Sequence, residues 1–356
     1  MRGRTRSVVR EKPLKLRLSN GLGSSKAALC PPCMLRPVVH RFRFAPLVLF
    51  RTMAMSSVPA PSLERATDLA ANLAGVNAKI AQTTALLGIP RPVTLLAVSK
   101  LKPASDILAC YNAGHRDFGE NYVNELVEKA SQVLLTDLQN HPPDLPLSSS
   151  PRISVGTSSG PCNRTRPRRL QVTLFVTRQF RSNCHRLSGV PNLYAIQTLT
   201  SKSTATALNK ALPATRTGLL NVLLQVNTSG EASKSGLPPL DADPDAAELD
   251  STGLLSLATH ILTSCPRLHL LGLMTIGSWE ASHSNAETNP DFARLQATRG
   301  LLENELRTSY PESKWGEEGR LLLSMGMSAD FEAAIQAGSD VVRVGTTIFG
   351  QRPSRQ

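Results

Sequence analysis

The residue best placed for covalent chemistry is Lys100, at the end of the apolar run Ala97-Val98-Ser99-Lys100. An amine walled by apolar neighbours is desolvated, which favours its neutral form and a Schiff base with an aldehyde. The competing reading is a solvated lysine at a strand end, and Lys102 is the competing amine. Two distant segments place small residues where apolar runs stop: Ser324-Met325-Gly326-Met327-Ser328, which leads into Ala329-Asp330, and Arg343-Val344-Gly345-Thr346-Thr347. Small side chains let backbone N–H groups approach a phosphate, and a helix N-terminus adds partial positive charge. Gly and Ser are also ordinary turn residues, so neither segment decides alone. An amine for an aldehyde and a cradle for a phosphate carry more weight together.

These residues need elements to hold them. The stretch from Leu63, LERATDLAANLAGVNAKIAQTTALLG, has helical spacing and stops at Gly88, a candidate C-cap. Strands and helices then alternate. VTLLAVSK (93–100) precedes DILACYNAG, and DFGEN (117–121) precedes YVNELVEKASQVLL. NLYAIQTL, beginning at Asn192, precedes SKSTATALNKAL, and GLLNVLLQVN (218–227) precedes a helix around LLSLATHIL. LHLLGLMTI (268–276) precedes FARLQATRGLLENEL, RLLLSMGM (320–327) precedes SADFEAAIQAG, and VVRVGTTIFG (341–350) comes last. Apolar strands separated by helices predict a parallel sheet buried on both faces. Seven such units are one short of a closed (β/α)₈ TIM-type barrel, in which phosphate commonly sits after strands 7 and 8. An open doubly wound sheet is the alternative, but no GxGxxG follows the first strand.

The formal charge of +13 invites a nucleic-acid reading. Its location argues otherwise. Residues 1–60 hold 12 Lys/Arg against Glu11 alone, and 151–188 hold 8 Arg and no acid, so the remainder is acidic. No basic stripe is left in the body, aromatics are only 4%, and no run approaches a membrane span. Residues 1–60 read as a leader: a transit-like segment, or an upstream extension with initiation at Met53 or Met55. Cys30 and Cys33 have CxxC spacing without a second pair or nearby His, so the six cysteines are expected as free thiols.

The missing unit belongs between 131 and 190, where helical period fails and Ser, Pro and Arg dominate. Taken at face value the segment is a disordered insertion. Reading the codons of 152–166 from each third base instead permits the string D-I-R-W-H-F-I-G-x-L-Q-S-N-K, a strand followed by a polar loop. This points to a frame error or misplaced splice junction, with 138–189 irregular and aberrant. In the chain as written, only 170–176 (LQVTLFV) has the length and β-branched content to fill the third slot. The expectation is 131–169 and 178–189 irregular, with 170–176 inserted or detached.

AVSKLKP, HRDFGENYVNEL, VNTSGEASKSG, GLMTIG, LLSMGMSADFEAAIQAGSDVVRVGTTIFG and the out-of-frame WHFIGxLQSNK resemble, in order, the motifs of the pyridoxal-phosphate homeostasis family. The resemblance covers about 64–136 and 190–351. It implies a single PLP-binding barrel over 61–351 followed by a tail at 352–356, related to the N-terminal domain of alanine racemase (fold type III). It implies pyridoxal 5′-phosphate (PLP) held as a Schiff base on Lys100, with Arg343 facing the pyridine nitrogen and Asn121 near the ring. Ser324, Gly345 and Thr346 match phosphate contacts, with Met325, Gly326 and Ser328 nearby. The family's WHFIG histidine and LQSNK loop have no counterpart in the translated chain. The expected role is a non-catalytic, monomeric cofactor carrier and buffer that supplies apo-enzymes in the cytoplasm, with the mitochondrion as the other compartment. The alternatives are a racemase-type enzyme, for which the chain leaves no room for a second domain after the last strand, and a non-functional product of a faulty gene model. No catalytic or metal-binding residues are expected.

Other candidates read as bland. His115 is expected as a loop or cap residue and His269 as packed at a strand start. Asp241, Asp243 and Asp245 lack the Gly and Glu of a calcium loop. Trp279-Glu280 follows GLMTIGS and is read equally as pocket cover or surface loop.

Overall fold

Ser62 starts the first helix, α1 (Leu63–Leu86), by accepting the Arg65 N–H on its hydroxyl. Leu69, Leu73, Val76 and Ile80 recur at steps of three and four and form its buried stripe. Gly88 ends the helix in the left-handed region at φ 59°. This is a computed structural model that describes residues 58–140, 171–174, 184–240, 253–283 and 289–351. All of them lie in the unit Ala54–Gln356.

The chain then alternates. β1 (Thr94–Val98) leads to α2 (Ala104–Asn112), and β2 (Asp117–Glu120) to α3 (Val123–Asn140). β3 (Gln171–Leu174) leads to α4 (Cys184–Ser188), β4 (Leu193–Leu199) to α5 (Lys202–Ala211), and β5 (Leu220–Gln225) to α6 (Leu254–Ser264). β6 (Leu268–Met274) is followed by α7 (Trp279–His283) and α8 (Pro290–Ser309). β7 (Leu322–Ser324) leads to α9 (Phe331–Gln336), and β8 (Val341–Val344) to α10 (Thr346–Phe349). Every strand pair is parallel and the sheet closes on itself, β1 pairing with both β2 and β8. The (β/α)₈ barrel read from the sequence is the fold.

Two apolar layers follow from strand alternation. Leu96, Ala195, Leu223, Leu271, Leu322 and Val341, from six strands, pack with Met274 and Val98 in the barrel interior. Their neighbours Leu95, Ala97, Ile196, Leu323, Val342 and Val344 pack outward under the helices. On β1 the inward face is therefore 96 and 98, and continuing the alternation puts Lys100 on it and Ser99 on the helix side.

The third slot is filled by Gln171-Val172-Thr173-Leu174, which pairs with Asp117-Phe118-Gly119-Glu120 on one side and β4 on the other. Residues 171–174 of the LQVTLFV stretch are thus inserted, not detached. The flanks depart from the irregular segment expected over 131–169 and 178–189, and from its 138–189 core. α3 continues to Asn140, because nothing in VEKASQVLLTDLQN breaks a helix before Pro142-Pro143. α4 forms inside the expected irregular stretch, with Cys184 and Leu187, one turn apart, buried on one side. Residues 141–170 and 175–183 lie outside the described residues. The leader expected over 1–60 also reaches too far. Val58 is buried in the main core, and 1–57 and the 352–356 tail lie outside the described residues.

Candidate functional site

The C-terminal mouth of the barrel gathers the polar residues that face inward. Lys100 is half-buried in the turn leaving β1. Leu101 beside it takes φ 60°, a conformation that costs an ordinary residue about 1–2 kcal/mol. Its N–H is held by Glu125 Oε2 at 3.0 Å. Lys102 turns away and donates to the Gln351 carbonyl at 2.7 Å, outside the mouth.

Arg343 lies on the inward face of β8 and is only 6% exposed. It donates to the Ser324 hydroxyl at 2.9 Å and to the Thr275 carbonyl at 2.7 Å. Burial lowers its pKa to about 10 against the attraction of Asp330, so the guanidinium stays charged at neutral pH. The Ser324 hydroxyl in turn donates to Gln197 Oε1 at 2.6 Å. The Ser324 hydroxyl, at the end of β7, thus sits between Arg343 and Gln197.

The turn after β7 is built for close approach. Gly326 has φ 90°, and a Cβ there would lie 2.4 Å from the Ala334 Cβ. Its carbonyl accepts the Arg343 N–H at 3.0 Å. Asp330 accepts the Met327 N–H at 2.6 Å and closes the turn, while Met325 is fully buried beneath it. Ser328 accepts the Gly345 N–H at 3.1 Å, joining the two small-residue segments. A Cβ on Gly345 would lie 3.1 Å from the Val98 carbonyl, two residues before Lys100. Thr346 is exposed at the start of α10, and Asn121 is half-buried directly after β2. The structure thus sets two hydrogen-bonded groups side by side at the ends of β7 and β8, Arg343 with Ser324 and Gly326, and Gly345 with Ser328.

Over residues 72–353 the chain matches the family described as "Alanine racemase, N-terminal domain". It is 37% identical over 284 residues to "Pyridoxal phosphate homeostasis protein" of Bos taurus, covering 79% of this chain and 86% of that one. The protein of that name from Escherichia coli (strain K12) is also 37% identical, over 289 residues covering 80% and 97%. The chain belongs to the pyridoxal phosphate homeostasis protein family. A solved structure, "Crystal structure of an unknown protein from Bifidobacterium adolescentis", matches with a TM-score of 0.59 and 29% identity over 82% of this chain and 99% of that one.

For this family member the sequence reading missed four participants. Gln197 is a lone amide in the apolar YAIQTL strand, and inward parity is the signal that would have found it. Thr275 acts through its carbonyl and gives no side-chain signal. Glu120 and Lys129, inside and just after the quoted FGEN motif, are both buried behind Lys100. Burial raises the Glu120 pKa to about 7, with Lys129 and Ser99 pulling it the other way. The WHFIG histidine and LQSNK loop have no equivalent on β3, whose residues are Gln-Val-Thr-Leu.

The bland candidates stay so. His115 bonds the Asp117 carbonyl at 2.7 Å and packs edge-on against Phe118, and burial lowers its pKa to about 4. His269 bonds the Gly316 carbonyl. Trp279 is 72% exposed and stacks on His283 in α7. Cys110, Cys184 and Cys265 are buried and in no disulfide. Cys30, Cys33, Cys162, Asp241, Asp243 and Asp245 lie outside the described residues. Among the described residues no helix is long and apolar enough to cross a membrane, and no group of three or more His, Cys, Asp or Glu could hold a metal.

Proposed function

We propose that this chain is a PLP carrier and buffer that performs no amino-acid chemistry of its own. The observation that carries the reading is the buried Arg343 cation on the inward face, fixed from two sides by Ser324 and Thr275. The residues present fit the cofactor: an amine at the mouth, a buried cation below it, and a turn where glycine alone leaves room. PLP supplies an aldehyde to hold and an aromatic ring that, with its nitrogen protonated, withdraws electrons. Lys100 holds the aldehyde. Ser324, Gly345 and Thr346 would contact the phosphate, with Met325, Gly326 and Ser328 nearby, and Ser324 would also anchor Arg343. Asn121 borders the ring. Arg343 would face the ring nitrogen of bound PLP, and a cation there would disfavour its protonation and weaken the electron withdrawal that racemisation requires.

Delivery to apo-enzymes, a monomeric state and a cytoplasmic location belong to the same proposal. Transfer assays with an apo-enzyme, light scattering and imaging of the tagged full chain test them in turn.

The deciding experiment is borohydride reduction of the PLP-loaded chain followed by peptide mapping. Label is expected on Lys100. Lys100→Ala abolishes it and Lys102→Ala leaves it, because the Lys102 amine is committed to Gln351. Label on Lys102 overturns the assignment. Alanine racemisation is expected at background, and turnover on the order of 10 s⁻¹ would restore the enzyme reading.

A further inference from the structure

Behind β1, on the side away from the mouth, lies a buried charged group that the proposed cofactor contacts do not use. Lys129, 9% exposed on α3, donates to the Ser99 carbonyl at 3.0 Å, to Glu120 Oε1 at 2.9 Å and to Glu125 Oε2 at 2.8 Å. Ser99 donates its hydroxyl to the same Glu120 oxygen at 2.6 Å. Glu125 Oε2 also accepts the Leu101 N–H at 3.0 Å. The residues immediately before and after Lys100 are therefore both tied to one ammonium–carboxylate cluster on α3.

Packing alone does not explain this cluster. Lys129 and Glu120 are desolvated, and Glu120 Oε2 has no hydrogen-bond partner among the described residues. A cavity of about 10 Å³ lined by Ser99, Glu120, Lys129 and apolar side chains lies beside it. Well-packed apolar residues commonly replace a buried ion pair without loss of stability. What an apolar patch could not do is grip a carbonyl and an N–H of the chain on either side of one residue. It also could not hold Leu101 in its left-handed conformation.

We infer that Glu125 and Lys129 are positioning residues that clamp the backbone on both sides of Lys100 and so aim its amine into the mouth. The clamp deepens the proposed function and rests on it for its purpose, while its mechanics belong to the cofactor-free chain. An amine displaced by a fraction of an ångström loses much of its advantage in bond formation.

The test compares Glu125→Ala with Glu125→Gln in the full chain. Glutamine keeps an oxygen for the Leu101 N–H and alanine does not, whereas a plain ion-pair role treats the two alike. In cofactor-free protein, amide exchange at Leu101 is expected to quicken in E125A and to stay close to wild type in E125Q. With PLP, E125A is expected to bind roughly tenfold more weakly or worse and to lose selectivity for Lys100 over Lys102 in borohydride labelling, with E125Q again near wild type. Lys129→Met is expected to follow E125A. If it fails to fold because Glu120 is stranded, the Glu125 pair still decides. Equal behaviour of E125A and E125Q, or unchanged Leu101 exchange in E125A, overturns the clamp. A wild-type chain that takes no PLP on Lys100 overturns the proposed function, and the Leu101 exchange then judges the clamp separately.

Discussion

At the scale of single residues, burial decides which groups titrate usefully. Glu120 ordinarily titrates near 4.5, and burial raises it to about 7 despite its bonds to Lys129 and Ser99. An acid whose folded pKa lies above its unfolded value favours folding while it is protonated. Its contribution is fully present below about 4.5 and is lost as the pH rises through about 7, a swing on the order of 3 kcal/mol. Wild type is therefore expected to melt lower at about pH 8 than at about pH 5, and Glu120→Gln to flatten that difference. Equal falls in both proteins would show that other groups govern the slope. Arg343 behaves differently: lowered only to about 10, it remains a cation through this whole range.

At the scale of elements, the two kinds of glycine make opposite predictions. Gly326 sits at φ 90° with the Ala334 Cβ in the way, so Gly326→Ala is expected to destabilise by about 3 kcal/mol. Gly75 lies exposed within α1 with nothing within 4 Å of a new Cβ, so Gly75→Ala is expected to stabilise by about 1 kcal/mol. Denaturant midpoints measure both, and a stable G326A would mean that the turn rearranges. The elements were also what the sequence disclosed best. Seven strands show as apolar runs because a parallel sheet is buried on both faces, and Lys100, Arg343 and the small-residue turns are visible as residue types at strand ends. The end of α3 beyond 135 and α4 were not legible, because the Pro- and Ser-rich surroundings masked their short periodic cores. The links from Ser324 to Gln197, from Arg343 to Thr275 and from Lys129 to Ser99 cross between strands or onto helices. Only closure of the barrel brings such partners together.

At the scale of the whole molecule, the short β3 lacks the WHFIG motif of the family, although its ladders to β2 and β4 are in place. Replacing 152–189 with a DIRWHFIG-x-LQSNK unit and a short helix is expected to raise both the melting temperature and PLP affinity. Calorimetry and equilibrium dialysis compare the two chains, and equal values would remove the physical case for a frame error. The seam between β1 and β8 has a different consequence. Lys100 follows the first strand, while Gly345 and Arg343 belong to the last, and the two strands meet through 94–97 against 341–344. Half a barrel can hold neither end of a ligand in register with the other. With the contacts proposed above, cofactor capture during synthesis would wait until the final strand has left the ribosome and found the first. Loading on those contacts would suture the joint of the barrel that the growing polypeptide closes last.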